Sequence, residues 1–188
     1  MKTSKNKREI INKISIVDKQ NMKYHITVKL IQQVQKLYKK SNRYEKEYLE
    51  TIIGAAIFYL PSGNKLWSKK ISKEALKSYL PNVKNKTKII KEHKYPRKVA
   101  SRELLKINWD SFRQPESKLK DLYLKKYGRY NYVTQKENGA LRKYQKVDIF
   151  KSPSHSYKKA GIQLIEIGDT DYEKAKKHKK SVIDKLLK

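Results

Sequence analysis

The chain is 188 residues long and carries 47 Lys+Arg against 18 Asp+Glu, a formal net charge of +29 at pH 7. That length closes one core, or one core with a small satellite, in a compact shape of about 16 Å radius of gyration. Cys is absent, which excludes disulfides, thiolate metal sites and cysteine nucleophiles. The longest apolar run, 52–60, is broken by Gly54 and stopped by Pro61, far short of the ~20 residues of a membrane helix. The basic N-terminus leads into no apolar leader segment, so a cytoplasmic protein without a membrane partner is expected. The charge far exceeds the single-digit surplus that solubility asks for, and nucleic acid is the expected partner. Only seven of the cations are Arg; Lys attracts phosphate without the planar fork that reads guanine, so backbone affinity should outweigh base reading.

In chain order, residues 1–22 mix Lys and Asn with Ile too irregularly for helix or strand and read as a basic arm. Residues 23–85 read as a helical region. Ile26, Leu30, Ile31, Val34, Leu37 and Tyr38 recur at three and four, predicting a helix from about Met22. After a turn at Ser41-Asn42, a second helix runs to the stop at Pro61-Ser62-Gly63-Asn64 and pairs with the first as a hairpin. Ser72 should cap a short helix reaching Leu80. The β-branched stretch 86–94 reads as a strand running into Pro96. A helical turn at 100–105, a polar irregular segment from 106, and a helix over 118–126 follow. Residues 129–133 alternate as a second strand, and Thr134 with Glu137 makes a capping box that opens a helix to about Lys146. The remaining segment, 147–188, reads as a short strand at 147–150, a Ser/Pro loop at 152–156, a strand over 161–167 and a Lys-rich last helix opened by a Thr170/Glu173 box. The fold class expected is α+β, mainly helical.

Four histidines, at 25, 93, 155 and 178, are the candidates for imidazole chemistry. His25 and His178 read as surface or packing residues. His93 stands apart, because Glu92 precedes it and Pro96 follows it where an extended segment ends. A carboxylate beside an imidazole puts a hard-cation ligand next to a base of pKa near 6.5, although a strand aims neighbours to opposite faces unless it kinks.

The Glu92-His93-x-x-Pro96 segment resembles the first signature of the HNH nucleases, the ββα-metal family, in which Asp more often stands before the His. The strand at 130–133, the Thr134 cap and Asn138 one turn into the helix are similar to that family's strand, helix and amide ligand. The resemblance covers residues 86–146 and implies an embedded ββα-metal core. It further implies Glu92 and Asn138 as metal ligands, His93 as general base, and Mg²⁺ or Mn²⁺ as cofactor, with Zn²⁺ also admissible. The function so implied is metal-dependent phosphodiester hydrolysis, of DNA before RNA. Lys91, Lys94, Arg97, Lys98, Arg142 and Lys143 are the candidate nucleic-acid contacts. A sequence-specific cutter of duplex would work as a homodimer on a palindrome. The competing reading is a non-catalytic basic nucleic-acid-binding protein, which explains the charge but does not require the Glu92-His93/Asn138 set.

Overall fold

The computed structural model describes residues 2–60, 66–83 and 87–188, without the side chains of 2–18 and 20. The predicted stop at 61–64 lies outside the described residues. The architecture is α+β. A long helix, α1 (Lys2–Tyr38), packs on α2 (Arg43–Phe58). Asn42 caps α2 in a full capping box with Glu45, which is why the chain reverses at the Ser41-Asn42 turn.

Next come β1 (Trp67–Ser72), α3 (Lys73–Lys77) and β2 (Ile89–His93), followed by α4 (Arg97–Leu104) and α5 (Pro115–Leu122). The chain continues with β3 (Tyr130–Thr134), α6 (Gln135–Leu141), α7 (Pro153–Lys159), β4 (Leu164–Glu166), α8 (Asp169–Lys176) and α9 (Lys180–Leu187).

The strands form one sheet in the order β2-β3-β1-β4, with β1 and β3 parallel and the other pairs antiparallel. Period-two alternation sorts their side chains between two apolar clusters. Ile71, Tyr130, Ile89 and Ile165 join the main core with α1, α2, α4 and α5, whereas Val133, Ile90 and Leu164 join a smaller cluster with Leu141 of α6 and Tyr157 of α7. Lys69 adopts a left-handed backbone (φ 56) where the β1–β3 register shifts, so β1 is bulged.

Several expectations change. The helix expected from Met22 begins at Lys2, so the segment read as an arm has helical backbone. β1 was not expected: its alternation is masked by consecutive lysines, yet it sits between β3 and β4. The capped helix at 72 is shorter than expected, ending at Lys77. The segment 147–150 is a turn rather than a strand, and the expected loop at 152–156 is the start of α7, capped by Ser152 through the His155 amide. The last helix is two: α8 starts after Gly168 with no side-chain cap, so the Thr170/Glu173 box does not form, and a left-handed His178 (φ 58) separates α8 from α9.

Candidate active site

β2 is an edge strand paired in antiparallel register with β3, Glu92 opposite Asn131 and His93 opposite Tyr130. The ladder is closed at its ends by Lys94 N–H to Arg129 O (3.0 Å) and Gln135 N–H to Lys88 O (2.8 Å). β3 passes directly into α6 at Thr134, whose hydroxyl accepts from the Glu137 amide while the Glu137 carboxylate accepts from the Thr134 amide and hydroxyl. The same carboxylate oxygen accepts from Ser72 Oγ at 2.6 Å, and Ser72 itself caps α3. Because β1 and β3 run parallel, their ends meet, and one carboxylate ties both helix starts together.

A cleft of about 370 Å³ opens along β2 and the start of α4, facing α6 and the 3₁₀ turn Arg142–Tyr144. Lys91, Glu92, His93, Arg97, Asn138 and Arg142 all line it, so two stretches about 45 residues apart in the chain meet here. Lys94, Lys98 and Lys143 do not: Lys94 lines a different concavity, Lys98 a groove beside Glu50 and Arg102, and Lys143 is exposed on the 3₁₀ turn outside the cleft.

Glu92 is 4% exposed. Its Oε1 accepts from Gln145 Nε2 at 2.5 Å and its Oε2 from the Tyr157 hydroxyl, which in turn accepts from Asn131 Nδ2 at 2.9 Å. Burial pushes the carboxyl up to about 7, against the opposing pull of these two donors and of Lys94. His93 is half-buried, with its ring edge-on to Phe58 and Tyr130 at 6.5 and 6.3 Å between centroids. Burial, then the charges of Arg97 and Lys91, hold the imidazole below its ordinary value, opposed by its bond to the Gly128 backbone; it is neutral at pH 7. The Arg97 guanidinium lies 3.9 Å from the Phe58 ring centroid, a cation–π contact that fixes it beside the imidazole. Asn138 is half-buried on α6 and Arg142 is exposed.

Gln145, Tyr157 and Asn131 were not expected at the site. Nothing in their spacing marks them, since they act by holding Glu92 rather than by forming a pattern with it. The remaining histidines lie elsewhere, His25 against Glu116 at 2.7 Å, His178 against the Tyr79 carbonyl at 2.6 Å and His155 in the first turn of α7.

Among the described residues no group of three or more His, Cys, Asp or Glu side chains converges as a metal site. The oxygen donors that share the cleft include one carboxylate, Glu92, and two side-chain amides, Asn138 and Gln145, hard oxygen ligands suited to Mg²⁺ or Mn²⁺ with water completing the shell. A buried carboxyl with only neutral hydrogen-bond donors on its oxygens is one that a bound cation would favour in its ionised form, so the residues fit such an ion. Zn²⁺, which favours nitrogen and sulfur ligands, would meet His93 as the one imidazole among the described residues lining the cleft. No family model, curated protein or solved structure matches the chain.

Proposed function

We propose that the chain is a metal-dependent endonuclease of the HNH kind, built on an embedded ββα-metal motif formed by β2, β3 and α6, and that it hydrolyses phosphodiester bonds, of DNA before RNA. The observation that supports this most is the shared cleft. It collects Glu92, His93 and Asn138 at the end of two antiparallel strands and the helix that follows them, in the order the resemblance calls for.

In this reading Glu92 and Asn138 hold Mg²⁺ or Mn²⁺, and that ion, when bound, offsets negative charge on the scissile phosphate, a contribution of several kcal/mol. His93 is the general base. Kept neutral by burial and by Arg97 and Lys91, it takes a proton from the water that attacks phosphorus, while the bond from phosphorus to the departing 3′ oxygen breaks. Arg97 and Arg142, both lining the cleft, grip nonbridging phosphate oxygens, and Lys91 adds positive charge beside them. Gln145 and Tyr157 are positioning residues that keep the Glu92 carboxylate in one orientation.

A nicking assay on plasmid, single-stranded DNA and RNA, each with Mg²⁺, Mn²⁺ or chelator, tests this. Cutting is expected only with metal, and His93→Ala should lose it by at least about 10²-fold, the lower end of general-base contributions, while keeping salt-sensitive binding. Equal cutting by both proteins would remove His93 from the mechanism. Binding with no cutting in any condition would favour the non-catalytic binder.

A further inference from the structure

Asn131 and Tyr157, whose polar atoms bridge to Glu92, also line a second concavity of about 770 Å³, within the range of small-ligand sites. Five lysines line it, Lys70, Lys94, Lys125, Lys126 and Lys158, with no Asp or Glu among the lining residues. Lys125 is paired with Asp121 and Lys126 with Glu103, each at 2.6 Å. Lys70, Lys94 and Lys158 have no acidic partner in contact among the described residues. Lys94 is half-buried. These cations crowd one another and, although Glu166 stands across the ladder from Lys70 and Lys94 acts on Glu92, no carboxylate lines the concavity itself, an arrangement that an anion of more than one charge would relieve.

The rest of the wall mixes polar groups with an apolar surface supplied chiefly by Tyr95, Ile162 and Leu164. Inorganic phosphate would leave that surface wet, and a purely apolar molecule would leave the lysines unanswered. A ligand with a polyanionic end and a flat apolar end satisfies both.

We propose that this concavity binds a nucleoside phosphate, with its phosphate among Lys70, Lys94 and Lys158 and its base against Tyr95, Ile162 and Leu164. The ligand is either a free mononucleotide or an unpaired terminal nucleotide of a strand, since both present the same chemistry. The site stands apart from the proposed cleavage, because the cleft along β2 is lined by a different set in which only Tyr95 recurs.

Calorimetric titration of the full chain in chelator tests it, using dAMP, dTMP, thymidine, inorganic phosphate and a short 5′-phosphorylated oligonucleotide. Mononucleotide is expected to bind one site, with nucleoside and inorganic phosphate each at least tenfold weaker. The double variant Lys70→Glu/Lys158→Glu should weaken mononucleotide at least tenfold. Ser154→Trp, an exposed position on the same wall, fills the space without changing charge and should do the same, with the circular dichroism of the wild type. His93→Ala should bind as the wild type does.

Tighter binding of the oligonucleotide than of mononucleotide names a strand end as the source, and the reverse names the free nucleotide. Phosphate binding as tightly as mononucleotide, wild-type affinity in Ser154→Trp, loss of affinity in His93→Ala, or no binding by nucleotide and oligonucleotide alike would each overturn the proposal. A protein that cuts nucleic acid but binds no nucleotide here keeps the endonuclease reading and loses this site. Nucleotide binding without cutting does the opposite.

Discussion

Glu92 is buried with an amide and a phenol on its oxygens rather than a cation, and burial raises its carboxyl from 4.5 to about 7. The native state therefore holds this proton more tightly than the unfolded chain does. Between about pH 4.5 and 7 the folded form binds more protons than the unfolded form, so Glu92 lowers stability as pH rises through that window, by about 3 kcal/mol once ionised. His93, displaced downward, acts in the opposite sense: the folded state disfavours its protonated form, so its contribution grows as pH rises toward its ordinary value.

Comparing Glu92→Gln with the wild type separates the two. In urea unfolding with chelator present, the variant should match the wild type near pH 4 and be more stable than it near pH 8. A difference that does not change with pH would mean that Glu92 is ionised throughout. The Glu-His dipeptide was legible from the sequence because its members are adjacent. The donors that set its protonation were not, because Gln145 and Tyr157 lie 53 and 65 residues further on and contribute through packing rather than through a motif.

At the level of elements, the cleft depends on how closely α4 approaches α2. A Cβ at Gly54 would sit 3.2 Å from Ser101 Oγ and 3.3 Å from Arg97 Cβ, so the absence of a side chain there lets α4 bring Arg97 over Phe58 and beside His93. Gly54→Leu should force the helices apart at a cost of about 1–3 kcal/mol, the usual range for overpacking, and should lower any cutting activity more than it lowers nucleic-acid binding. Thermal unfolding and the nicking assay together check this. A variant of unchanged stability and activity would mean that the contact has slack.

Elements whose signals are local were readable: the Asn42 turn, the Ser72 and Thr134 caps, and the two strands that flank the site. Those whose signals are tertiary were not. β1 is held between two neighbours despite its lysines. α7 grows from a Ser/Pro segment because Ser152 caps it and Pro153 suits a first helical position. The predicted box at Thr170 gives way because the chain already turns helical after Gly168.

For the whole molecule, a surplus of +29 that rests mostly on Lys predicts affinity dominated by counterion release rather than by base contacts. Among the described residues no helix is long and apolar enough to cross a membrane. Binding to a duplex, followed by fluorescence anisotropy, should weaken steeply with salt and vary little with sequence. The double variant Arg97→Ala/Arg142→Ala should reduce the log–log salt slope by about two, roughly one for each phosphate that is no longer neutralised. An unchanged slope would place the phosphates elsewhere on the surface.

In the proposed site Glu92 and Asn138, brought to one cleft from separate parts of the chain, hold a single divalent cation beside His93. Titration of Mn²⁺ into the protein, followed by electron paramagnetic resonance, measures this directly. One bound ion is expected in the wild type and in His93→Ala, with at least tenfold weaker binding in Glu92→Gln and in Asn138→Ala. Equal affinity in all four proteins, or none in the wild type with nucleic acid present, would contradict it.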